Sequence, residues 1–215
     1  MSQDFQKLLQ TPDMLRDEIW EAKFLNQFKS QKLEILNEEP QQGPDSWPYL
    51  LVQTSDSETA EPLVKVIDWL VLNGIGMVVN PQKEGYPDYV FSYGMLYNYA
   101  ISGEFFTPSE VVPTGQLHFE KGQTLHTGDA SKEYFPDFAR ELLKTFFAEQ
   151  GFEEVKLLLV SKDGEHYDLC FSLESLGNPP EEEYHGILEA LSWFFPTHYS
   201  LSLVSEKGLP KFFNL

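Results

Sequence analysis

Apolar residues recur at two spacings along this chain, and the alternation between them outlines its elements. Thr11-Pro12-Asp13 reads as a helix start, with Thr as N-cap, Pro where its missing N–H costs nothing, and Asp at the positive dipole end. Leu15, Ile19, Ala22 and Phe28 follow near helical spacing and predict its inward face. Lys32 to Leu36 and Tyr49 to Thr54 predict strands on either side of a Pro/Gly loop from Glu39 to Pro48. Ser55-Asp56-Ser57 is expected to cap a helix whose apolar face is Leu63, Val66, Ile67, Leu70 and Val71, stopping at Asn73-Gly74. Ile75 to Val79 predicts a third strand, closed by Asn80-Pro81.

The same order returns further along. Pro136 opens a helix with Phe138, Leu142, Phe146 and Phe147 inward, ending at Gly151. Val155 to Ser161 and His166 to Leu173 predict two strands joined by a turn at Asp163-Gly164, a strong hairpin signal. Pro179-Pro180 starts a helix with Tyr184, Ile187, Leu188, Leu191 and Phe194 apolar, and Tyr199 to Val204 predicts a final strand. Helix, strand, strand, helix, strand thus occurs twice at an offset of about 120 residues, an order consistent with internal duplication. The expectation is an α+β protein of two related halves, residues 1–110 and 111–215, with mixed or antiparallel sheets.

Between the repeats lies a segment without a counterpart. Gly85 to Phe106 holds Tyr86, Tyr89, Phe91, Tyr93, Tyr97, Tyr99, Phe105 and Phe106 with little charge, and Asp88 and Asn98 as polar points. Tyrosines carry an apolar body and a hydroxyl tip, which suits a binding surface. Tyr86, Asp88, Tyr89, Tyr93, Tyr97, Asn98 and Tyr99 are therefore the candidate binding residues. The same rings could instead fill the joint between the halves. Beyond them, Gln116 to Phe119 and Gln123 to Thr127 around Lys121-Gly122 predict a small hairpin.

Charge changes the picture of partners. The 215 residues carry fifteen basic and thirty-four acidic side chains, a net charge of −19. Nucleic acid must be met by Lys and Arg that release its counterions, so this balance argues against DNA or RNA, and the same repulsion argues against anionic membranes. From Ser131 onward there are seven basic and fifteen acidic residues, so both halves are acidic. Such a field favours solubility and could steer in a basic protein partner. Cys170 is the one cysteine, which excludes an internal disulfide and suits a reducing compartment. The N-terminus lacks a signal-peptide pattern, and no apolar run approaches the roughly 20 residues of a membrane helix. The expected location is the cytoplasm.

Candidate chemistry is thin. Glu182-x-x-His185 has di-metal spacing but no second copy, and Glu181-Glu182-Glu183 reads better as an acidic helix start. His118 with His126, and His166 with Asp168, each offer two ligands where zinc wants at least three. Cys170 lies between Leu169 and Phe171 in a strand, with no electropositive flank for a nucleophile. No nucleophile elbow or phosphate loop is present, and Gly74-Ile75-Gly76 precedes a strand instead of opening a helix. No cofactor and no metal are expected. Asp88 beside Tyr86, Tyr89 and Tyr93 is the remaining acid–base cluster, the basis of a hydrolase alternative.

Several turns and strand ends carry a resemblance. Gly74 to Pro81, where an apolar strand runs into Asn-Pro, resembles the end of the N-terminal domain of SseB-family proteins. Gly122 to Gly128, the Pro136–Gly151 helix, Val155 to Leu159, Asp163-Gly164-Glu165, and Tyr199 to Val204 with Pro210-Lys211-Phe212-Phe213 are similar to that family's C-terminal domain. Gly85 to Phe106 departs from the pattern. The resemblance implies a two-domain, cytoplasmic, bacterial protein linked to serine sensitivity, and it brings no catalytic residues. The combined expectation is a non-enzymatic interaction or regulatory protein. The runner-up is an acidic immunity protein or secretion chaperone that binds a basic partner.

Overall fold

A computed structural model describes residues 2–81, 85–108 and 124–215. The chain divides into two compact units, Met1–Phe105 and Phe106–Leu215, so the aromatic segment falls almost entirely with the first. Each unit builds a sheet with helices, and the protein is α+β.

The first unit runs α1 (Gln3–Leu9), α2 (Glu18–Phe28), β1 (Lys32–Ile35), β2 (Gln41–Gln42), β3 (Pro48–Thr54), β4 (Glu61–Pro62), α3 (Leu63–Asn73), β5 (Gly76–Val79), β6 (Tyr89–Phe91) and α4 (Tyr93–Ser102). Its sheet has the order β4-β1-β3-β5-β6, with β2 on β3. β1 pairs antiparallel with β3, and β3 pairs parallel with β5 across the α3 crossover. The second unit runs β7 (His126–Gly128), α5 (Asp137–Glu149), β8 (Lys156–Ser161), β9 (Tyr167–Ser172), α6 (Tyr184–Phe194), β10 (Ser200–Val204) and β11 (Phe213–Asn214). Here β8 pairs antiparallel with β9, and β9 pairs parallel with β10 across α6. The repeated order read from the sequence therefore also repeats in strand pairing. The additions differ: β6 extends the first sheet beyond β5, whereas β7 and β11 both attach to β8.

Two expected helix starts fall elsewhere. Thr11-Pro12-Asp13 gives only a 3-10 turn, Asp13–Leu15, because Arg16 leaves helical geometry. Asp17 then caps α2 by accepting from the Trp20 N–H at 2.9 Å. The inward face becomes Trp20, Phe24 and Phe28, at i, i+4 and i+8, while Leu15 and Ile19 stay exposed. Similarly, Ser55-Asp56-Ser57 forms hydroxyl-bonded turns, and α3 begins only after Glu61–Pro62 has paired with β1. The predicted stop is correct: Gly74 takes the left-handed conformation, φ 68°, that ends α3.

Phe24 centres the first core. Its ring lies 5.7 Å from Phe5, 5.1 Å from Trp20, 5.2 Å from Phe28 and 5.1 Å from Tyr89. Each such pair adds about 0.5–1.5 kcal/mol beyond area burial. Phe5 reaches this cluster because Ser2 caps a short helix absent from the sequence-based expectation. One face of this sheet is buried through Leu33, Leu50, Val52, Met77, Val79 and Phe91. The other face alternates half-buried Leu51 and Val78 with exposed Glu34, Gln53 and Val90. The second sheet is buried on both faces. Phe147 and Phe195 meet Phe171 on one side; on the other, Phe212, Leu125 and Leu209 cover Leu158, Val160, Cys170 and Val204. Among the described residues no helix is long and apolar enough to cross a membrane.

Candidate functional site

The candidate binding residues of the aromatic segment do not gather on one surface. Ser92 caps α4 by accepting from Met95 N–H, and Gly103 ends it at φ 74°. The helix puts Tyr93, Leu96 and Tyr97 on one stripe, all fully buried, and α4 packs against α3, β5 and β6. The Tyr93 hydroxyl donates to the Val71 carbonyl at 3.1 Å, and burial pushes its pKa up. Asn98 is 2% exposed and donates to the Glu104 carbonyl at 3.0 Å. Tyr99 is half-buried and stacks on Phe105 at 4.4 Å. Tyr89 lies over Phe24 and donates to Glu21; burial first, then that carboxylate, raises its pKa. Tyr86 alone of the set stands well out, 76% exposed.

Asp88 is also buried, at 7% exposure, and both of its carboxylate oxygens are taken. Oδ1 accepts from Arg16 Nη2 at 2.7 Å, and Oδ2 accepts from Asn80 Nδ2 at 2.7 Å. Arg16 also donates to the carbonyls of Thr11, Leu9 and Asp88 and lies over the Trp20 ring. Asn80, held at φ 53°, accepts from the Thr54 N–H at 3.0 Å. The network fastens the chain before α2 to the ends of β3 and β5. A carboxylate so engaged is poorly placed to collect a proton from a substrate.

The other titratable candidates are buried, paired or dispersed. Cys170 is fully buried, and burial, with the Asp168 charge second, pushes its thiol pKa up. His166 Nδ1 pairs with Asp163 Oδ2 at 2.8 Å on the exposed hairpin tip, and that contact holds the Asp163 carboxyl below its usual range. Glu182 and His185 are both exposed at the start of α6. His118 and most of its predicted hairpin lie outside the described residues. Among the described residues no group of three or more His, Cys, Asp or Glu side chains is arranged to hold a metal ion.

A concave site lies instead in the second unit. The C-terminal end of α5, the first turns of α6 and the segment 176–179 enclose a groove of about 660 Å³, partly open to solvent. Phe146, Phe147, Phe152, Leu176, Ile187 and Leu191 supply its apolar lining. That volume lies within the range of ligand pockets, roughly 300–1,000 Å³. Both charged lining residues are acidic, Glu182 and Glu183. On α5 the fully buried row is Ala139, Leu143 and Phe147, while Phe138, Leu142 and Phe146 are only half-buried beside it. The sequence placed Phe146, Ile187 and Leu191 on apolar faces without separating these rows. An apolar stripe two rows wide, opposite Gly186 and Ala190 on α6, was the available signal. No protein-family model, no curated protein and no solved structure matches the chain.

Proposed function

We propose that this chain is a non-enzymatic cytoplasmic interaction protein of SseB-like type that receives a basic protein partner. The observation that carries the reading is the apolar α5–α6 groove whose charged lining is wholly acidic. The net charge of −19 supports it, because the field of the molecule would draw a basic partner in and hold anionic ones off. The SseB-like turns and strand ends support a regulatory or binding role, since that resemblance brings no catalytic residues. An immunity protein or secretion chaperone is the more specific form of the same reading, favoured by the acidic groove. The hydrolase alternative leans on Asp88, whose oxygens are engaged by Arg16 and Asn80.

Native capture from the source cell, followed by reconstitution from purified components, tests this. A stoichiometric basic protein whose association weakens as salt rises supports the reading. Turnover of a small-molecule ester or amide by the purified protein, lost in a folded Asp88→Asn variant, would replace it with the hydrolase.

A further inference from the structure

We infer that the α5–α6 groove is the receptor for one amphipathic helix of the partner, apolar where it enters and carrying Lys or Arg along its edge. This rests on the interaction reading above and adds the surface and the chemistry it selects.

Shape comes first. The groove takes its lining from two helices and is partly open to solvent. Its apolar lining, Phe146 and Phe152 with Ile187 and Leu191, complements the apolar side chains that an amphipathic helix presents at i, i+3 and i+4. The room depends on small residues. Gly186 and Ala190 lie four apart on α6 and both line the groove, and a Cβ added at Gly186 would meet nothing within 4 Å. Helix formation alone favours Ala over Gly at such a position, so the notch is not a demand of local folding.

Charge specifies the occupant further. Glu182 and Glu183 sit in the lining, where they complement the positive dipole end of α6. That accounts for their place on α6 but leaves the other helix unexplained. The last turn of α5, which supplies Phe146, Phe147 and the neighbouring Gln150 to the groove, has no basic residue and contains Glu149. A helix C-terminus carries negative partial charge and favours a cation. The groove therefore carries Glu182 and Glu183 at its α6 end and Glu149 beside its α5 end, with no basic residue in its lining, and a Lys or Arg beside an apolar helix face complements them.

The test uses the intact protein and two labelled synthetic peptides of about 18 residues, one a Leu/Lys amphipathic helix and the other a Leu/Glu helix of the same apolar pattern. Fluorescence anisotropy is expected to show the Leu/Lys peptide binding at micromolar concentration and the Leu/Glu peptide not binding. Gly186→Leu, which fills the notch, is expected to weaken binding at least tenfold while leaving the melting temperature unchanged or higher. Glu182→Lys with Glu183→Lys is expected to flatten the salt dependence. In the wild type, an NMR titration with the Leu/Lys peptide is expected to shift Ile187, Leu191 and Phe146, which reads the site without any variant. Equal binding by the wild type and Gly186→Leu, with shifts spread over the acidic surface, would overturn the groove while leaving the interaction reading standing. No binding of the Leu/Lys peptide, or tighter binding of a short cationic amphiphile that the peptide cannot displace, would also overturn it.

Discussion

Two aromatic regions of this molecule have opposite fates. The segment from Tyr86 to Phe106 is the most tyrosine-rich stretch, yet its central rings are core. The helices α5 and α6 look like ordinary amphipathic helices, yet between them they leave an open apolar groove. The difference lies in what each helix finds opposite. α4 buries a broad face, Tyr93, Gly94, Leu96, Tyr97 and Asn98, and meets α3, β5 and β6. α5 presents two adjacent rows, and it buries the row through Ala139, Leu143 and Phe147 while Phe138, Leu142 and Phe146 stay half-buried. Residue type reports what a surface could bury; the elements that stand opposite it decide whether it is buried.

The strongest way to break that contrast is to delete the rings assigned to the core. Tyr93→Ala with Tyr97→Ala is expected to destabilise the first unit by about 3 kcal/mol or more per ring, enough to unfold it at ambient temperature. Denaturant titration would read it. A variant that keeps its cooperative transition within a few degrees of wild type would return these rings to the surface. Next in size, Asp88→Ala removes the buried carboxylate of Arg16 and leaves it only the more exposed Asp13 at 3.5 Å, and the expected loss is about 3 kcal/mol, the low end for breaking a buried pair. A loss of activity without a loss of stability in that variant would instead give Asp88 the chemical role that its bonds to Arg16 and Asn80 argue against.

Much of the frame was legible in the sequence because it is written in local rules. Strand limits fall within about one residue of expectation at β1, β3, β5, β8 and β10, where apolar β-rich runs give way to polar residues. Gly74 stopped α3 as its chemistry requires. What failed depended on competition between caps. Thr11-Pro12 and Asp17 both offer a helix start, and the choice of Asp17 turns Trp20 inward and Ile19 out. Ser92 and Gly103, which bracket α4, are local helix signals, and the expectation of a binding surface between them rests on aromatic content alone. Neither the Arg16–Asp88–Asn80–Thr54 network nor the groove could be read locally, because each joins residues from separate elements.

Glycines sharpen the comparison at single-atom scale. Gly76 in β5 lies under the Tyr49 ring: an added Cβ would fall 2.6 Å from two ring carbons and 2.8 Å from the Phe91 carbonyl oxygen. The ring is held from its far end by the Tyr49 hydroxyl bond to Asp45 at 2.6 Å. Neither the backbone oxygen nor the tethered ring can yield cheaply, so Gly76→Ala is expected to cost about 1–3 kcal/mol, the range of overpacking. An unchanged denaturation midpoint would mean that Tyr49 is free to swing off the sheet.

Gly186 should answer in the opposite direction, and by the least. It occupies the first turn of α6 and faces open space. A methyl group there removes backbone freedom from the unfolded chain and meets no neighbour in the folded one. Gly186→Ala is therefore expected to stabilise by about 0.4–1 kcal/mol, read as a rise in midpoint of a few degrees. Ala is too small to fill the groove, so peptide binding should change far less than with Gly186→Leu. The sign decides between two accounts of the notch. Stabilisation means that folding would accept a side chain and that the space is maintained for something other than the fold. Destabilisation would mean that α6 needs glycine for its own entry geometry after the Glu181–Glu183 turn, and the groove would then be a by-product of how that helix begins.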